Sequence, residues 1–280
     1  MRSALGAIIA VVLLATPALA QSSYGTWNDL PDRFQIDTGY FRLSPTTILR
    51  YNPEVGGGGE VELERDLGFD ETANTFWIDG TWRLGRRHQV KLAYTQLSRD
   101  ALDYEIQRDF SWGGETYDAG LTADSDTSTD LLGGYYRFAL VRNDRFEIGP
   151  SIGIGYLWID ARIRATGTVT GPGGGTVSRT LDQGASTSSI TGAIGGYASA
   201  WATERLQLQG DFLYIKVTPE NEEAAVTDWR IAANYYFFRN AGLGVQYKFY
   251  RYSYDRGIVS QKLGGEVTYK GVQVYASFRF

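Results

Sequence analysis

The sequence predicts an all-β chain, a single antiparallel up-and-down transmembrane β-barrel of about ten strands, with eight or twelve as the alternatives. Three observations predict it. Segment after segment alternates apolar with polar or small residues in period two. The links between segments alternate between tight turns and long loops. Beyond the first 20 residues no apolar stretch approaches the length of a membrane helix.

The chain opens on "MRSALGAIIAVVLLATPALA", with one cation at Arg2, an apolar run from Ala4 to Ala15 and a small-x-small site, Ala18-Leu19-Ala20, before Gln21. This is the pattern of a cleaved signal peptide over 1–20. The apolar run is about a dozen residues, short of the roughly 20 that a spanning helix needs. Residues 21–32 are expected as a periplasmic leader and 33–280 as the barrel. Strands are expected at roughly 33–45, 73–84, 88–108, 117–140, 145–164, 186–201, 205–217, 225–238, 242–255 and 265–280.

Each segment sorts into an oily and a wet face. "TFWIDGTWRL" places Phe76, Ile78, Gly80, Trp82 and Leu84 opposite Trp77, Asp79, Thr81 and Arg83. "RFEIGPSIGIGYLW" sets Phe146, Ile148, Ile152, Ile154, Tyr156 and Trp158 against Glu147, Ser151, Gly153 and Gly155. "DWRIAANYYFF" and "GLGVQYKFY" divide in the same way. The bulky aromatics Trp82, Phe138, Phe146, Tyr235, Phe237, Phe278 and Phe280 lie on oily faces near one set of strand ends, as an interfacial girdle would. The wet faces hold Asp37, Asp79, Arg83, Lys91, Arg137, Glu147, Asp211, Arg230 and Lys248. A β-sandwich core could not bury so many charges, whereas a barrel lumen can. Both signs are present on these inward faces, which favours cross-lumen pairing over a single-sign selectivity ring.

The links after the second, fourth, sixth and eighth strands are tight: "GRR", "VRND", "ATE" and "RNA". Those after odd strands are mostly longer, among them "TTILRYNPEVGGGGEVELERDLGFDET" and "ATGTVTGPGGGTVSRTLDQGA". Short turns on one side, long loops on the other, an even strand count and both termini on the short-turn side fit a barrel that crosses a membrane.

The last segment, "VQVYASFRF", ends in a strand. Its residues Val272, Val274, Ala276, Phe278 and Phe280 alternate with inward Gln273, Tyr275 and Ser277. On this alternation the chain resembles the bacterial outer-membrane β-barrel class over roughly 33–280. That resemblance implies an outer-membrane location, lipid and lipopolysaccharide as surroundings, and an assembly signal at Phe280 and Phe278 read by the barrel assembly machinery.

Composition narrows the function. Loss of Arg2 with the signal leaves 26 basic against 32 acidic residues, a net charge of −6, which argues against a nucleic-acid partner. With no cysteine, stability has to come from a core or from closed hydrogen bonding. About 260 residues cannot supply both a plug domain and the 22 strands of an energy-coupled receptor. A catalytic barrel would be expected to use a histidine with a serine or carboxylate. The one histidine, His88, sits beside the "GRR" turn with no such pair placed near it by sequence.

Two acidic stretches invite a metal reading against that of a solvated loop. In "GEVELERD", Glu60, Glu62 and Glu64 would share one side of an extended segment, with Asp66, Asp70 and Glu71 following. "DSDTSTD" lacks the glycine and closing glutamate of a calcium loop. The glycine runs at 56–59 and 171–175 lack the lysine and helix context of a phosphate cradle, so they read as a turn and a loop tip. Arg162, Arg164, Lys216 and Arg251 near the long loops could meet lipopolysaccharide phosphates or be solvated rim charge.

No catalytic residue, cofactor or metal is assigned. The expectation is a non-enzymatic outer-membrane barrel, either a narrow channel for a small solute or a structural or surface-interaction protein. The alternative is an outer-membrane hydrolase acting on lipid or peptide.

Overall fold

The structure is a computed structural model that describes residues 33–53, 59–112, 115–170, 176–217, 222–258 and 261–280. The expected signal peptide, the leader, the 171–175 glycine run and most of the 56–59 run lie outside the described residues. Ten strands close into one antiparallel ring. They are β1 (Phe34–Pro53), β3 (Ala73–Arg83), β4 (His88–Glu105), β7 (Thr122–Phe138), β9 (Phe146–Thr170), β10 (Thr176–Trp201), β11 (Leu206–Val217), β12 (Glu222–Tyr236), β13 (Ala241–Ile258) and β14 (Gln261–Arg279). Four shorter strands lie outside the ring. β2 (Gly59–Glu62) pairs with β1, β5 (Phe110–Trp112) with β6 (Glu115–Tyr117), and β8 (Val141–Arg142) with β9.

β14 closes against β1 from Arg279 opposite Gln35 to Gln261 opposite Pro53, so neither strand is an edge. Phe280 seals the seam through its backbone. Its N–H donates to Phe34 O at 2.8 Å, and its carbonyl accepts from Arg33 and Phe34.

Outward faces divide at one level around the ring. On β9 the outward residues from Phe146 to Trp158 are apolar or aromatic, a run of twelve steps, roughly 40 Å along the strand and about 28 Å once tilted. Tyr40, Trp158, Tyr214 and Tyr247 mark the far edge of this band, and Phe34, Trp82, Phe146, Tyr235 and Phe237 the near edge. Past Trp158 the outward residues turn to Asp160, Arg162 and Arg164, all exposed. The same change occurs at Arg42 on β1, Gln96 on β4, Asp130 on β7, Arg251 on β13 and Lys270 on β14. The inward face changes in the opposite sense, to buried Leu43, Leu97, Leu131, Leu157, Ile159 and Val267.

This inversion explains where strand boundaries differ from the sequence expectation. The 165–185 segment, expected as a loop, is mostly strand, with β9 and β10 paired from Ala200 opposite Phe146 out to Thr176 opposite Thr170. Polar outward residues give the segment the composition of a loop, but Ile163, Ala165 and Leu181 keep period two with the phase reversed. β1 likewise runs on to Pro53, and β14 starts at Gln261.

Candidate functional site

The lumen of the apolar band is filled by charge. Asp79 on β3, Lys91 on β4, Arg137 on β7, Asp211 on β11 and Arg230 on β12 all point inward and meet near the axis. Lys91 Nζ lies 2.8 Å from Asp79 and 3.7 Å from Asp211. Arg230 reaches Asp79 at 3.2 Å and also binds Asp211, which Arg137 binds from the other side. β3 and β12 lie four places apart in a ring of ten, as do β4 and β11, so these pairs bridge the lumen instead of running along one wall. Such a bridge requires long side chains on some strands and small ones on others. At this level β9 and β10 supply Ser151, Gly153, Ala193 and Gly195.

Polar groups continue the network around the wall. Arg230 donates to Gln246 at 3.2 Å, and Gln246 donates to Gln273. Among the described residues Asp37 pairs with no cation directly; it accepts from Ser277 at 2.6 Å and from Gln35 at 3.0 Å. Tyr275 donates to Asn234, lying over Gly244, where a Cβ would come within 2.3 Å of the Tyr275 ring. Above this layer Lys248 lies 3.5 Å from Asp228. Below it Glu147 is held by Arg83 at 3.0 Å, Arg142 at 3.4 Å and the Tyr197 hydroxyl at 2.7 Å, and by Gln89.

The nine charged positions singled out by sequence thus all face the lumen. Five form the central cluster, Asp37 flanks it, and Arg83, Glu147 and Lys248 belong to the layers below and above. Sequence reasoning left two partners outside that set. Asp228 was on the wet face of its segment but was not matched to Lys248. Arg142 lies in the two-residue strand β8, too short for period two to give a direction.

The two ends of the lumen differ. At the short-turn end a cavity of about 920 Å³ opens outward. Its lining includes Arg83, Arg86, Arg87, Arg142, Arg145 and Arg279, with Asp144 and Glu147 as the carboxylates and His88 at the side. Arg279 stacks over Tyr236 and Trp201 at 4.2 and 4.7 Å.

At the long-loop end the lumen is closed by apolar packing. Val61, Leu63, Leu67 and Phe69, from β2, the short helix Leu63–Asp66 and the residues just after it, pack against Leu49, Ile106, Leu121, Ile163 and Leu181. Two arginines pin this insert. Arg99 binds Glu64 at 2.5 Å and Thr47 at 2.6 Å, and Arg108 binds Asp66 at 2.6 Å. Burial alone would push the Asp66 carboxyl up. Hydrogen bonds from Arg108, Arg65 and the Glu62 amide outweigh it and hold the group well below the usual carboxylate range.

This arrangement changes the reading of the acidic loop. Glu60, Glu62 and Glu64 do not share one side of an extended segment, because the chain turns into helix at Leu63. Glu60 pairs with Arg50, Glu62 with Arg65 and Glu64 with Arg99. Among the described residues no group of acidic side chains is arranged to hold a metal ion. On the outer surface, Arg162 and Arg164 share Asp182, and Arg251 pairs with Glu266. His88 lies exposed at the start of β4, its Nδ1 2.5 Å from the Tyr136 hydroxyl and its ring against Phe138.

No family model matches this sequence, and no curated protein matches it. The structure is similar to that of the outer membrane protease OmpT from Escherichia coli, with a TM-score of 0.58, 16% identity and coverage of 93% of this chain and 99% of that one. OprG from Pseudomonas aeruginosa aligns at a TM-score of 0.39 and 10% identity, over 91% of this chain and 99% of that one. Ail of Yersinia pestis aligns at 0.30 and 11%, over 90% and 100%. The likeness to OmpT is one of fold: this chain has the fold of a bacterial outer-membrane β-barrel.

Proposed function

We propose that this chain is a non-enzymatic barrel of the bacterial outer membrane, closed at rest, which serves as a structural or surface-interaction protein and passes ions only through narrow or brief openings. The observation that carries this reading is the ion-pair cluster of Asp79, Lys91, Arg137, Asp211 and Arg230, which spans the lumen from strands on opposite sides. A charged side chain held by partners across the lumen leaves little path for a solute, and the apolar insert above adds a second closure. In this reading residues 1–20 direct export, the short turns face the periplasm, and Phe280 and Phe278 present the closing strand to the assembly machinery.

Planar-bilayer recording of the refolded protein, beside a general esterase and protease screen, tests the reading. Small or intermittent currents and no turnover are expected. Large steady currents would show an open lumen. Turnover lost in a folded His88→Ala variant would favour the hydrolase instead.

A further inference from the structure

The cavity at the short-turn end has a charge unlike that of the chain around it. The whole chain is acidic, at −5. The cavity lining carries six arginines against two carboxylates, a local charge of +4. One of those carboxylates is already saturated, because Glu147 receives two guanidinium groups, an amide and a phenol. The other, Asp144, is exposed in a turn and makes no ion pair among the described residues. Arg86, Arg87 and Arg145 also make none among the described residues, so three guanidinium groups stand at the mouth with no ion-paired carboxylate among the described residues. Cations gathered around one mouth repel one another, and an anion that joined them would relieve that repulsion.

The lining also says which anion. None of its cations is a lysine. Guanidinium presents a planar fork of donors that matches the paired oxygens of a phosphate, where an ammonium offers only a point charge. Arg279 is oriented by its stack on Tyr236 and Trp201 and by donation to the Arg239 carbonyl. The floor of the cavity is the Glu147 layer, with the cross-lumen cluster behind it, so the space is a blind pocket. A ligand would enter and leave by the same mouth. With a volume of about 920 Å³ there is room for a small multiply charged molecule.

We propose that the short-turn mouth of the barrel is a binding site for phosphate-bearing anions, with Arg86, Arg87 and Arg145 capturing the ligand at the rim and Arg83 and Arg279 within the cavity. The site does not depend on whether the barrel conducts. The phosphate could belong to a free solute or to a lipid headgroup, which share the same chemistry.

The test uses the full refolded barrel in neutral dodecyl maltoside, titrated calorimetrically with tripolyphosphate and, in parallel, with citrate. Saturable tripolyphosphate binding is expected, weakening as salt rises. The triple variant Arg86→Gln/Arg87→Gln/Arg145→Gln should bind about tenfold more weakly or worse. Arg251→Gln, on the outer surface at the other end, should bind as the wild type does. All three changed positions lie in exposed turns, Arg86 and Arg87 between β3 and β4 and Arg145 before β9, and a heat-modifiable gel shift confirms that the variant is a barrel. Repeating the titration in nanodiscs separates the sources. Binding retained in both phosphatidylcholine and phosphatidylglycerol discs supports a free phosphate ligand, and binding lost only in phosphatidylglycerol supports a headgroup in the same site. Absence of saturable binding in neutral detergent, unchanged affinity in the folded triple variant, or citrate binding as tightly as tripolyphosphate would each overturn the proposal.

Discussion

The lower and upper parts of this barrel are built from the same strands and obey opposite rules. On β9, Ile154 faces outward and Gly153 inward, while nine residues further on Ile163 faces inward and Arg162 outward. Below the level of Trp158 the outside is oily and the lumen is charged; above it the outside is polar and charged, and the lumen is mainly apolar, with the Arg99–Glu64 pair and Thr47 buried in it. What reverses is the surrounding solvent. Within the lipid band, apolar side chains go outward and polar ones can be satisfied only by one another inside. Above the band water takes the polar face, and the hydrophobic effect packs the interior as it would in a soluble protein. One continuous hydrogen-bonded wall thus carries two cores with different chemistry, a charge-paired one and an apolar one.

If the lower core is held by its ion pairs, removing the carboxylate that three cations share should do the most damage. Asp211→Ala leaves Lys91, Arg137 and Arg230 facing a missing partner. The expected loss is about 3–5 kcal/mol in urea or thermal unfolding of the refolded protein. A change below about 1 kcal/mol would mean that the lumen is wet at this level and that water replaces the lost partner.

The upper core should respond to volume instead. Ile163→Ala removes a side chain that is 2% exposed and is expected to cost about 2–4 kcal/mol, the transfer and cavity terms together. Ile154→Ala, at 66% exposed on the lipid face, should cost less, because lipid or detergent refills the space. Equal costs would break the distinction between the two regions.

A smaller effect should come from acid. The Asp66 carboxyl is depressed in the folded state, so its contribution is fully present above the unfolded value of about 4 and is lost as pH falls below it. The amide protection factors of residues 61–69, referenced to the intrinsic exchange rate at each pH, should therefore fall below about pH 4 before the barrel itself unfolds. Protection that persists until global unfolding would show that apolar packing alone holds the insert.

Much of the lower region was legible in the sequence, because period two with a constant phase needs only one solvent on each side. Phe76 to Leu84 and Phe146 to Trp158 could be assigned face by face for that reason. The upper region was largely read as loop. Its alternation is equally regular in "DARIRA", but the polar residues are outward, and a search for an oily lipid face passes over it. A change of phase after an aromatic such as Trp158 was the available signal. The cavity was harder to see. Arg86, Arg87 and Arg145 stand in turns and Arg142 in a two-residue strand, where no periodicity reports direction, and only barrel closure brings them to the same mouth as Arg279.

The inversion of the two faces at one level can be measured directly because the chain has no native cysteine to interfere with labelling. Single cysteines carrying a nitroxide would be placed at positions 148, 152, 154, 160, 162 and 164 on the outward face of β9 and at 163 on its inward face, and oxygen and nickel accessibilities recorded in bilayers. The expected result is high oxygen access from 148 to 154, a switch to high nickel access from 160 to 164, and protection from both at 163. Lipid-like oxygen access continuing through 160, 162 and 164, or free nickel access at 163, would contradict it.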